Sequence, residues 1–118
     1  MRVRPVLTVE AAPALRTHLK GLLEEWGYEP IGVGSVDEAL AALATSQFEF
    51  SLVDMDLDGS DGIHLLHRLK QQGGDPGPII LLFDPPDTKR IADAAALGAD
   101  DFLQKPFKPE ELENAIKA

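Results

Sequence analysis

Five strand patterns alternate with five helix patterns along this chain, and that alternation predicts an α/β domain: one parallel sheet, helices on both faces, right-handed crossovers. Two further observations support it. The run Ile79 to Phe83 is apolar throughout, as a strand covered on both faces requires. The 118 residues are 44% apolar, which suits a single domain (residues 1–118) with one core. The sheet is too small for two dinucleotide-binding halves, and no Gly-x-Gly-x-x-Gly follows the first strand. The flavodoxin-like (βα)5 order 2-1-3-4-5 is therefore expected.

Each element has a local cause. Pro5 to Val9 reads as the first strand, with Glu10 at its end. Pro13 suits a first helical turn, and Leu15, Leu19, Leu22, Leu23 and Trp26 recur at helical spacing until Gly27. Glu29 to Val33 is a short second strand. Ser35-Val36-Asp37-Glu38 has the capping-box pattern and opens a helix carrying Ala39, Leu40 and Leu43. Phe50 to Val53 is the third strand. Ile63, Leu66 and Leu69 make a third helix, broken by Gly73-Gly74-Asp75-Pro76-Gly77. Ile79 to Phe83 is the fourth strand, and Pro85-Pro86-Asp87 starts a helix that Gly98 stops. Asp101 to Gln104 is the fifth strand. Pro109 opens a last helix, with Glu110, Glu111 and Glu113 at its amino end, that is still running at Ala118; the chain reads as a domain cut from a longer protein, its last helix truncated.

Charge and composition narrow the function. A net charge of −9 argues against non-specific binding of nucleic acid or anionic membranes by this domain. With no cysteine, disulfides and thiol chemistry are excluded. No signal peptide or membrane span is legible, so a cytoplasmic location is expected.

The chemistry collects where strands end. Ligands of open α/β sheets bind outside the carboxyl ends of the strands. The first strand delivers Glu10, the third Asp54 with Asp56 and Asp58 behind it, the fourth Phe83 and Asp84, and the fifth Lys105. A carboxylate can attack phosphorus, and a cation with a lysine can neutralise the charge that builds up. The plainer reading is that Lys105 only offsets crowded acids. Asp56-Leu57-Asp58-Gly59-Ser60 also looks like the nucleophile motif of haloacid-dehalogenase-type phosphohydrolases, though two strands and two helices precede it. His64 and His67, three apart on one helix, read as a solvated face, and His18 as a boundary residue.

The chain resembles, over nearly all its length, the receiver domain of two-component response regulators. The resemblance rests on Val53-Asp54 with Gly62 eight residues on, Gly98-Ala99-Asp100-Asp101-Phe102-Leu103, and Lys105-Pro106-Phe107. Ala12-Pro13-Ala14-Leu15 and Pro78-Ile79-Ile80-Leu81 add weaker support. It implies that Asp54 is the phosphoacceptor position, Lys105 the phosphoryl contact, often before a cis proline, and Phe102 the switch aromatic. It implies Mg²⁺ held through Glu10, Asp54 and the Asp56 position. It also implies a histidine kinase or other signalling protein as partner, and an output domain or a homodimer on the face of helix four, strand five and helix five, here Lys89, Arg90, Asp93, Asp100 and Glu111. Such a domain is not an enzyme; at most it accepts a phosphoryl group.

Three departures make it an atypical, pseudo-receiver-like variant. Ala11 stands where the family has a second acid, a principal magnesium ligand, so metal binding is expected to be weak or absent. Phe83 stands in place of Thr or Ser, removing a charge-assisted hydrogen bond worth roughly 1.5–3 kcal/mol; as the end of an apolar strand it also reads simply as core. Asp58 replaces a proline. A phosphoryl group beside Glu10 and Asp56 without a well-held cation is unfavourable, since like unit charges about 4 Å apart repel by about 4 kcal/mol at an effective dielectric near 20. Two readings stand: an interaction module with a degenerate phosphorylation pocket, and a working Asp54 phosphoacceptor with an unusual metal site.

Overall fold

The computed structural model describes residues 3–57, 60–85 and 88–118. The main sheet is built from β1 (Pro5–Val9), β2 (Glu29–Val33), β3 (Phe50–Asp54), β6 (Ile79–Phe83) and β7 (Asp101–Gln104). All pairs are parallel, and the spatial order is β2-β1-β3-β6-β7, which is 2-1-3-4-5 for its five strands. The helices are α1 (Pro13–Glu25), α2 (Val36–Thr45), α3 (Gly62–Gln72), α4 (Thr88–Ala96) and α5 (Pro109–Lys117). The fold expected from the alternation is the fold observed.

The period-2 rule of strands divides the core into two layers. Leu7, Val53, Leu81 and Phe83 join the layer under α2, α3 and α4, with Ala39, Leu43, Leu65, Leu66 and Ala94. Val6, Phe50, Leu52, Ile80 and Leu82 join the other layer, with Leu19 and Leu23 of α1 and Leu112 of α5. Both faces of the central strands are thus covered, in keeping with the wholly apolar β6. The N-cap half of the expected capping box forms, with Ser35 Oγ accepting from the Glu38 N–H at 3.2 Å; Glu38 Oε1 accepts instead from the preceding Gly34 N–H at 3.2 Å.

Two features differ from the expectation. The acidic stretch after β3 is not a plain loop. Asp56–Leu57 (β4) pairs antiparallel with Ser60–Asp61 (β5), strands too short to leave any periodic signal. Asp58 lies outside the described residues, as do Pro86 and Asp87, so the start proposed for α4 at Pro85-Pro86-Asp87 does too. Asp100 also proves structural: at the entry to β6 its Oδ2 accepts from the Ile79 N–H at 2.8 Å and its own N–H donates to the Ile79 carbonyl at 2.8 Å.

Candidate functional site

Asp54 ends β3 with no exposed surface. A buried carboxylate needs partners, and it has two: Oδ1 accepts from the Asp56 N–H at 2.8 Å, and Oδ2 accepts from Lys105 Nζ at 2.5 Å. Lys105 reaches it because the Lys105 N–H donates to the Phe83 carbonyl at 2.7 Å, which sets the exit of β7 beside the exit of β6. Its ammonium also lies 3.7 Å from Asp84 Oδ2 at the half-exposed rim. Burial works against the charged lysine, but the hydrogen bond and charge of Asp54, with Asp84 and Glu10 behind, hold its pKa above the ordinary lysine value. The Lys105–Pro106 bond is cis.

Glu10 is only 4% exposed, and most of its polar atoms are tied down. Its N–H donates to the Val33 carbonyl at 2.9 Å, its carbonyl accepts from Arg16 Nη1 at 2.8 Å, and Oε1 accepts from the Ala12 N–H at 2.9 Å. Oε2 is buried without a hydrogen-bond partner. Desolvation first, then the hydrogen bond and charge of the adjacent Asp54, push the Glu10 pKa up to about 8, against the pull of the Ala12 N–H and Lys105. A neutral Glu10 can donate from the oxygen that otherwise has no partner.

The structure therefore brings Glu10, Asp54 and Lys105 together from three strand ends, as the sequence reading expects. Asp56 is adjacent only through its backbone; its carboxylate points to Arg90 of α4, with Oδ1 3.7 Å from Nη1. Phe83 is buried in the same core layer that Phe102, half-buried on β7, packs against. Arg16 escaped the sequence reading. The one available signal was its place in the first turn of α1, three residues after Pro13, close enough to reach back to the end of β1. The hydrolase-like stretch from Asp56 to Ser60 follows the third strand rather than the first and contributes the small β4–β5 ladder instead.

The donor set is poor for a divalent cation. Both Asp54 oxygens have donors, Ala11 offers no oxygen, and the Asp56 carboxylate is turned to Arg90. Among the described residues, no three Asp, Glu or His side chains come together in a way that would hold a metal ion. The side chains present do not fit the magnesium set that the resemblance implies.

A family profile described as "Response regulator receiver domain" matches residues 6–117. The chain belongs to the response regulator receiver domain family. Its place is in two-component signalling, and receiver domains are not enzymes in the usual sense. It is 34% identical over 113 residues to the two-component response regulator PhoP of Pseudomonas aeruginosa, covering 96% of this chain and 50% of that protein. It is 33% identical over 118 residues to the DNA-binding response regulator MtrA of Mycolicibacterium smegmatis, covering 100% of this chain and 50% of that one. The chain thus spans about half the length of the curated relatives it matches. Among solved structures, the signal receiver domain of a histidine kinase from Syntrophus aciditrophicus superposes with a TM-score of 0.85 at 33% identity, covering 98% of this chain and 88% of that one. A receiver domain of a sensor histidine kinase from Pseudomonas aeruginosa, described with a magnesium ion coordinated in its active site cleft, superposes with a TM-score of 0.86 at 25% identity, covering 98% and 96%. Among the described residues, no helix of this receiver is long and apolar enough to cross a membrane.

Proposed function

We propose that this chain is an atypical receiver, one that works as a protein-interaction module and is not switched by phosphorylation of Asp54. The observation that carries the reading is Phe83. Its ring is 8% exposed, at the end of β6, where the receiver pattern has a hydroxyl. No hydroxyl is offered there to a phosphoryl oxygen, and Phe83 belongs to the core layer against which Phe102 packs. A packed interior does not readily absorb a second ring, so the rotamer switch implied for Phe102 is expected to be hindered. Glu10, pushed toward its neutral form by burial and Asp54, offers a cation little charge, and Mg²⁺ binding is expected to be weak.

The partner is proposed to be a histidine kinase or another signalling protein, engaged by a receiver that is one domain (1–118) of a longer cytoplasmic protein. The face of α4, β7 and α5 is the proposed contact for an output domain or a second copy. Two of its charges are already committed within the chain: Arg90 to Asp56, and Asp100 to the Ile79 N–H. The Lys89 side chain lies outside the described residues. Asp93 and Glu111 are exposed there, although Glu111 Oε1 also accepts from the Lys108 N–H at 2.9 Å.

One observation favours the second reading, a working phosphoacceptor: Asp54 and Lys105 already hold the pairing that phosphoryl transfer needs. Intact-mass measurement after incubation with acetyl phosphate and Mg²⁺ separates the two. The expected outcome is no stable mass gain. A gain of one phosphoryl group that disappears in Asp54→Ala overturns the interaction-module reading in favour of the second.

A further inference from the structure

Asp56 is split between two environments. Its N–H stays against the pocket, donating to Asp54 Oδ1 at 2.8 Å. Its carboxylate leaves, with Oδ1 3.7 Å from Arg90 Nη1. The two side chains are 51% and 31% exposed, so this contact bridges the exit of β3 and the first turn of α4 at the mouth above Asp54. Inside the mouth, the oxygens are occupied one by one. Asp54 Oδ2 carries the Lys105 ammonium, which repels any dication near it, and Glu10 Oε1 carries the Ala12 N–H. Ala11 adds none. Among the described residues, a small hard cation that wants near-octahedral oxygen ligation finds Glu10 Oε2 without a partner and, at the rim, the Asp84 carboxylate 3.7 Å from the Lys105 ammonium, too few oxygens for its shell.

We propose that Arg90 is a positioning residue that holds the Asp56 carboxylate out of the Asp54 pocket and, with Ala11 and the Lys105–Asp54 pair, closes that pocket to divalent cations. Asp56 is an acid beside the pocket that could supply oxygens in place of those lost at Ala11, and the guanidinium is what it faces instead. The inference rests on the receiver reading of the pocket. Its readout is metal binding and not phosphoryl transfer.

The test is a Mg²⁺ titration of the native chain, Arg90→Gln and Ala11→Asp, followed through the amide resonances of Asp54, Met55 and Asp56. The native chain is expected to show no saturable shift. Arg90→Gln is expected to gain a weak, saturable one, and Ala11→Asp one tighter by at least about tenfold, since even an outer-shell partner is worth about 10–100-fold in metal affinity. Arg90 is a part-exposed side chain, so its replacement leaves the core layers intact and carries the test even if Ala11→Asp does not fold. Saturation of the native chain with the affinity of Arg90→Gln overturns the proposal, and so does an Arg90→Gln chain that stays silent. Phosphorylation of Asp54 that does not depend on Mg²⁺ defeats the interaction-module reading and leaves this result standing; Mg²⁺ saturation of the native chain without phosphorylation does the reverse.

Discussion

The two edges of the sheet handle charge in opposite ways. At the carboxyl edge, Asp54 and Glu10 are buried and held by defined partners: Lys105, the Asp56 N–H and the Ala12 N–H. At the amino edge, Arg4 stays in water. Its guanidinium sits 4.3 Å above the Tyr28 ring and its Nε lies 3.8 Å from Glu49 Oε2, while Tyr28 packs edge-on to Phe50 at 5.1 Å. The same residue types therefore carry very different energies. A charge cluster in the interior is poised, because any lost partner leaves a desolvated ion. A cluster in solvent is forgiving, because water replaces the partner.

Removing Lys105 should break the contrast most visibly. Lys105→Ala leaves the Asp54 carboxylate buried beside Glu10 without its cation, and urea unfolding should show a loss of about 3 kcal/mol. Adding Asn at position 54 to that variant should recover much of the loss, because the stranded charge is gone. Gly62 comes next. A Cβ there would lie 2.8 Å from the Asp54 carbonyl and 3.1 Å from side-chain atoms of Val53 and Leu81, so Gly62→Ala should cost about 1–3 kcal/mol by overpacking and disturb the Asp54 amide resonance.

Glu10 gives a pH signature of intermediate size. Its folded pKa, about 8, stands above the ordinary 4.5, so between those values the folded chain binds more proton than the unfolded one. The stabilisation from neutral Glu10 is fully present below about pH 4.5 and is lost as pH rises through about 8. The stability difference between the native chain and Glu10→Gln should therefore shift in favour of Glu10→Gln across that window, measured as urea midpoints at several pH values. A flat difference would show that Glu10 is not held neutral. The smallest effect belongs to the other edge: Arg4→Ala should cost under about 1 kcal/mol and weaken further in high salt. A larger loss there would erase the distinction between the two edges.

Much of this was legible in the residues. Ile79 to Phe83 reads as a doubly covered strand, and the Ser35–Glu38 cap is local chemistry that needs no tertiary context. The convergence of Glu10, Asp54 and Lys105 followed from topology, since parallel strands must end on one edge. The β4–β5 ladder was not legible, because a two-residue strand leaves no period. The contacts of Arg16 with the Glu10 carbonyl and of Arg90 with Asp56 were not legible either, because reach and direction of a long side chain depend on where its helix lands.

By itself the sequence determined the alternation of elements, the edge on which the acids and the lysine gather, and the replacements at positions 11 and 83. These follow from periodicity, strand direction and the atoms each side chain possesses. Only the tertiary structure decided which oxygen of Asp54 meets Lys105, that one oxygen of Glu10 is left buried without a partner, and that Asp56 turns outward to Arg90. Those outcomes depend on burial and on angstrom-scale distances between elements far apart in the chain, where desolvation and Coulomb energy change steeply with position.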